Sequence, residues 1–256
     1  MKLLTSISLA LSITVYAADD SANKGAKGLF IDQLSNAKIP TGTASGNGNL
    51  QPSKKTGVPS TMKPIASTPK NTGLMYYLEL VKPSGEVLRV NSTRAFHSGE
   101  KVRLHFTTNM DGRLVIVQKQ KNGTSEVLFP DKRVRDGDNR LKAGEDMVVP
   151  SERAWFTFDA NPGEERLMVF LTTESGYGGL RPMIADATLN GDKTIQLASN
   201  IEKQRGSKAL KLEVDEASPE PATYVVMNAL DRNPGRATSG SMPQGVVATE
   251  IVLTHQ

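Results

Sequence analysis

The chain has 256 residues, no cysteine, 5% aromatic residues and a formal charge of +4. Without cysteine it can build neither a disulfide framework nor a thiolate metal site, so a plain apolar core must hold any fold. The basic excess sits in residues 35–72, which carry five lysines and no acid; residues 1–34 balance, leaving 73–256 at −1, which argues against a basic face for nucleic acid.

Met1-Lys2 opens the chain with positive charge, Leu3 to Val15 form an apolar run, and Val15-Tyr16-Ala17 supply a small-residue cleavage site. Residues 1–17 therefore read as a secretory signal peptide, with no lipobox cysteine behind it. The run is too short for a spanning helix, which needs about 20 residues. The expected destination is periplasmic or extracellular, with no transmembrane segment.

Residues 18–34 read as a short amphipathic segment: Leu29, Phe30, Ile31 and Leu34 crowd together, and Phe30 and Leu34 stand at helical i,i+4 spacing. Such a segment either docks on a partner or on its own domain, or is a frayed remnant. Residues 35–72, with Pro40, Pro52, Pro59, Pro64 and Pro69 and no aromatic, lack the apolar content to order themselves and read as a disordered linker. As a flexible coil its reach is about 35 Å.

Residues 73–256 read as strands. Met75 to Val81 and Glu86 to Asn91 flank the turn Lys82-Pro83-Ser84-Gly85. Lys101 to Thr107 alternates, with Val102, Leu104 and Phe106 on one face and Arg103 and His105 on the other. Asp111-Gly112 and Asn122-Gly123 turn the chain around the strands Arg113 to Gln120 and Thr124 to Phe129. Asp146 to Val149, Ala154 to Asp159 and Arg166 to Thr173 continue the meander. Thr194 to Gln204, with Ile195, Ala198 and Ile201 on one side, reads as a short helix ended by Gly206. Lys208 to Val214, Thr223 to Met227 and Val246 to Thr254 complete the strands, with a polar Gly/Pro loop from Asn228 to Gln244. The expectation is an all-β antiparallel β-sandwich, immunoglobulin-like or transthyretin-like, with one short helix covering an edge or end.

The ordered set Phe96-His97-Ser98-Gly99-Glu100, Asn109-Met110-Asp111-Gly112-Arg113-Leu114, Leu128-Phe129-Pro130, Val149-Pro150 and Phe158-Asp159 with Pro162-Gly163-Glu164-Glu165 resembles a bacterial family of secreted or envelope domains of unknown function, family 4384. The similarity covers about residues 73–174, more loosely 222–254, and Gly28-Leu29-Phe30 with Gln33-Leu34 is similar too. Glu100 replaces the family's usual Asp and Arg113 its usual aromatic. The resemblance implies a β-sandwich in a secreted or envelope-associated protein and carries no activity with it.

Chemical motifs are sparse. Ser21–Lys24, Ser35–Lys38 and Ser67–Lys70 match Ser-x-x-Lys, but all lie before or within the linker, where no rigid site can hold a base against a serine. His97, His105 and His255 show no metal-ligand spacing. Asp136-Gly137-Asp138-Asn139 begins like a calcium loop, but Arg140 stands where an oxygen ligand belongs. Glu164 and Glu165 are adjacent in a strand and so point to opposite faces, unlike a glycosidase pair. Neither a metal nor a cofactor is expected, and no catalytic residue is assigned.

The candidate binding residues are Trp155, Tyr177, Phe30 and Leu34. Trp155 is either buried or displayed, Tyr177 sits in a Gly-rich loop from Ser175 to Gly179, and Phe30 and Leu34 belong to the tethered segment. These point to a non-enzymatic module that binds a protein partner of the envelope. The alternative is recognition of cell-wall or extracellular polysaccharide, for which the aromatic content is low.

Overall fold

A computed structural model describes residues 24–38, 71–228 and 242–256. The signal-peptide reading, most of the linker and most of the loop from Asn228 to Gln244 fall outside the described residues. Among those described, two sheets pack face to face. One contains β1 (Asn71–Val81), β2 (Val87–Val90), β4 (Lys101–Thr108), β8 (Asp146–Val149), β9 (Phe156–Thr157), β11 (Leu210–Asp215) and β12 (Ala222–Asn228), in the order β11-β12-β1-β4-β8 with β2 on β1 and β9 on β4. The other contains β3 (Ala95–Phe96), β5 (Gly112–Lys119), β6 (Ser125–Phe129), β7 (Arg140–Leu141), β10 (Gly163–Thr172) and β13 (Val246–His255), in the order β3-β13-β10-β5-β6 with β7 on β5. All pairs are antiparallel except β3 with β13. The expected β-sandwich is the observed fold.

Alternation builds the interior. Leu74, Tyr76, Leu78 and Leu80 of β1 and Val102, Leu104 and Phe106 of β4 face Leu114 and Ile116 of β5 and Leu167, Val169 and Leu171 of β10 across the sandwich. Three helices flank this double layer, where the sequence suggests one. α1 (Ala26–Lys38) lies on the outer face of the β1 sheet, while α2 (Glu174–Leu189) and α3 (Gly191–Arg205) cover the outer face of the β10 sheet. No described helix is long and apolar enough to cross a membrane.

The helical layer explains why β10 carries an unbroken apolar run from Leu167 to Leu171 and β13 opens with Val246, Val247 and Ala248. Met168, Phe170, Val246 and Ala248 point away from the sandwich interior and are buried under Leu180, Ile184, Ala187, Leu197 and Ile201. Both faces of these strands are dry, so the period-two signature disappears.

α2 corrects the reading of Ser175 to Gly179 as a loop. Thr173 caps the helix by accepting from the Gly176 N–H, and Leu180, Ile184 and Ala187 recur at i, i+4, i+7 as the buried stripe. A Cβ on Gly176 would come within 2.6 Å of Thr172 Oγ1 and 2.8 Å of the Gln244 carbonyl, so close packing rather than a turn demands that glycine. α3 begins three residues before the expected helix, with Asn190 as cap, and its buried stripe is Thr194, Leu197 and Ile201. Ile195, expected on the inner side, is 61% exposed. The helices cover a sheet face because they carry the chain from β10 in one sheet to β11 in the other. Trp155 lies just outside β9, which is shorter than the expected strand Ala154 to Asp159.

Candidate functional site

The tethered segment docks on its own domain. α1 buries Ala26, Leu29 and Phe30, at i, i+3 and i+4, against Val226, with Leu34, Met75 and Tyr224 packed around them. Phe30 meets the Tyr224 ring edge-on at 5.6 Å between centroids. The approach is tight enough that a Cβ on Gly73 would stand 3.1 Å from the Phe30 ring and 2.8 Å from Val226. The Lys27 backbone N–H donates to Glu213 and its ammonium pairs with Asp215 at 2.5 Å. Phe30 is only 3% exposed and Leu34 is half-buried, so this face of the helix is turned to the sheet.

Trp155 belongs to a second arrangement that cross-strand register creates. Pairing of β1 with β4 sets Tyr77 beside His105 and Glu79 beside Arg103, and pairing of β4 with β8 brings Asp146 to the same outer face. The His105 ring stacks on Tyr77 at 4.5 Å. Its Nδ1 lies 3.0 Å from the Tyr77 hydroxyl and 2.8 Å from Asp146 Oδ2. Nε2 is 3.1 Å from Glu79 Oε2, outside hydrogen-bond alignment. Arg103 donates to Glu79 at 2.5 Å and to the Glu152 carbonyl, and its guanidinium lies 4.4 Å above Trp155. Arg89 covers Tyr77 at 3.6 Å and donates to the Pro221 carbonyl. Trp155 is half-buried with a cation on its ring.

This cluster ties β1, β2, β4 and β8 together. Among the described residues, the Tyr77 hydroxyl and the Asp146 carboxylate both meet His105 Nδ1. Tyr77, His105 and Asp146 lie from 28 to 69 positions apart along the chain, so the signal available in the sequence was the shared outward parity of Tyr77 and Glu79 in β1 and of Arg103 and His105 in β4.

Burial and nearby carboxylates push the Tyr77 phenol up to about 12. The native state therefore keeps this proton above the pH at which the unfolded chain, with an ordinary phenol near 10, has lost it, and stability falls as pH rises between those values. Tyr77→Phe is expected to raise the midpoint of alkaline unfolding and to remove one phenolate that titrates at about 12 from the ultraviolet absorbance curve. An unchanged midpoint and curve would contradict this assignment.

The third arrangement is a groove between α2 and the outer side of β5 and β6. Val115, Val127, Pro130, Tyr177, Ile184 and Ala185 line a cavity of about 640 Å³, with Arg181 and Thr188 along the same helix. Tyr177, half-buried in the first turns of α2, lies 4.8 Å from the Arg113 guanidinium, which in turn donates to Glu174 and to Asn139. Arg113 and, at 6.0 Å, Arg181 thus both place a guanidinium over the Tyr177 ring.

β6 is the terminal strand of its sheet, and among the described residues only β5 pairs with it. The β5–β6 hairpin closes with the Gln120 N–H donating to the Thr124 carbonyl at 2.8 Å. Antiparallel alternation from that pair turns the backbone N–H and C=O of Ser125 and Val127 away from β5. An apolar groove thus runs beside the outward backbone groups of Val127, while Ser125 is buried with its hydroxyl on Thr194 of α3. Asn139, the last residue of the calcium-like stretch, is buried and spends its side chain on Arg113 and the Leu114 carbonyl.

The family model described as "Domain of unknown function (DUF4384)" matches residues 95–175, from β3 to the first turn of α2. The match includes β6 and Arg113 but stops before Tyr177 and the rest of α2. No curated protein and no solved structure matches the chain.

Proposed function

We propose that this protein is a non-enzymatic module of the bacterial periplasm or cell exterior that binds a protein partner of the envelope, taking an extended segment of that partner along β6. The observation that carries the reading is the open edge of β6 beside the α2 groove. A strand added there gains main-chain hydrogen bonds from Val127, and every second side chain enters the groove beside Tyr177 and Ile184. The signal-like residues 1–17 support the compartment. Docking of Phe30 on its own sheet directs attention to this groove rather than to α1, and the guanidinium on Trp155 leaves less ring for a sugar to stack on.

The test places a photo-crosslinking amino acid at Arg181 in the full-length protein in envelope preparations, with a control at the exposed Ile195 of α3. A discrete adduct is expected from position 181 and none from 195. Ala185→Arg, at an exposed groove position, is expected to lower the adduct yield about tenfold without altering the melting temperature. Equal yield with Ala185→Arg, or adducts from position 195 alone, would overturn the reading.

A further inference from the structure

A second cavity lies between the two sheets at the end of the sandwich where β9 and the C-terminal end of β13 meet. We propose that it is a binding site for a small amphiphilic amine, with the apolar part between the sheets and the cationic head at the rim. The cavity holds about 300 Å³, at the lower end of the range of ligand pockets, about 300–1,000 Å³. Its walls are apolar: Val102 and Leu104 from β4, Leu167 from β10 and Leu253 from β13 form the floor, and Leu128 and Phe156 stand at its mouth only half-buried. Two large apolar side chains left partly uncovered in a cleft are surface that a ligand would remove from water.

The rim decides the charge of the head group. Glu165, Asp159 and His255 line it, whereas no lysine or arginine does. Glu165 accepts from Gln118 Nε2 at 2.7 Å, which fixes one carboxylate oxygen and leaves the other available. Asp159 accepts from the backbone and side chain of Asn161, bonds that hold its carboxyl below the usual range and keep it ionised. His255 is buried beside Phe158, and its Nε2 pairs with the Ser98 hydroxyl at 3.1 Å. A carboxylate head would meet two like charges, and an alcohol would add no charge to that of Lys121, which already acts on Asp159. An ammonium meets both. The site is separate from the α2 groove: Leu128 faces the inside of the sandwich, whereas Val127 of the same strand faces α2.

The experiment titrates the full-length secreted form, methyl-labelled, with decylamine, decan-1-ol and decanoate below their micelle concentrations. Decylamine is expected to shift the Leu167 and Leu253 methyl signals saturably and to bind about tenfold more tightly than decanoate, leaving Leu180 and Leu197 under the helices unmoved. Leu128→Trp, which fills the mouth, is expected to abolish the shifts. Glu165→Gln, which keeps the shape, is expected to reduce the preference for the amine to about threefold or less. Binding of decanoate as tight as that of decylamine, shifts spread equally to Leu180, an amine preference untouched by Glu165→Gln, or no saturable shift with any of the three would overturn the proposal. None of these outcomes bears on the β6 edge, whose test reads a different face.

Discussion

Phe170→Ala is expected to lower the free energy of unfolding by about 3–5 kcal/mol, the range for truncating a fully buried aromatic to alanine. Phe170 is 0% exposed, yet it points out of the sandwich interior: it stands on the outer face of β10, opposite Val115 of β5 and Ala248 of β13, under the helical layer. Val115 and Ala248, directly opposite it, are too small to refill the space, so the cavity term adds to the lost transfer of the ring. The measurement is urea-induced unfolding followed by Trp155 fluorescence. Ile195→Ala on the exposed side of α3 serves as the comparison and is expected to change stability by no more than about 0.5 kcal/mol. If α2 and α3 were a loose cover over a self-sufficient sandwich, Phe170→Ala would cost about 1 kcal/mol or less, and that result would reject the helical layer as a second core.

Phe30→Ala is expected to release α1 from the sheet, at a local cost of about 3 kcal/mol. A helix of 13 residues is marginal by itself in water. Its apolar contact with the domain comes from three buried side chains, Ala26, Leu29 and Phe30, of which Phe30 contributes the largest surface and the edge-on contact with Tyr224, beside the Lys27 contacts to Glu213 and Asp215. Amide exchange separates this event from global unfolding. The amides of residues 29–34 are expected to lose protection in the variant, while those of β1, β4 and β10 keep theirs. Retained protection in α1 would mean that another contact holds it. Loss across all strands would mean that α1 is integral to the sandwich rather than docked on it.

Legibility of the fold follows the locality of the physics. β8 appears in the sequence within its observed bounds, and β4 within one residue, because alternation between a dry and a wet face is written into neighbouring residues. The turn at Asn122-Gly123 is legible because Gly123, at φ 89, needs the positive φ that glycine tolerates without strain. α2 was not legible. Three glycines and Pro182 lower its intrinsic helix propensity, and only the sheet beneath Leu180, Ile184 and Ala187 repays the ordering of that segment. For α3 the extent was visible and the face was not, since Ile195 and Leu197 are both apolar and only contact with β13 and β10 decides which is covered.

The candidate sites divide the same way. Composition and local pattern were enough to place most of the longer strands, the Asn122-Gly123 turn and the helical spacing of Phe30 and Leu34, because each depends on residues a few positions apart. Which way those residues turn required the tertiary structure. Register joins Tyr77, Glu79, Arg103, His105 and Asp146 into one cluster and puts Arg103 over Trp155. Sheet order leaves β6 at an edge, and helix packing places Tyr177 and Ile184 beside it to form a groove. Long-range pairing is set by the burial of whole faces against one another, a free energy that belongs to the assembled layers and to no single stretch of chain.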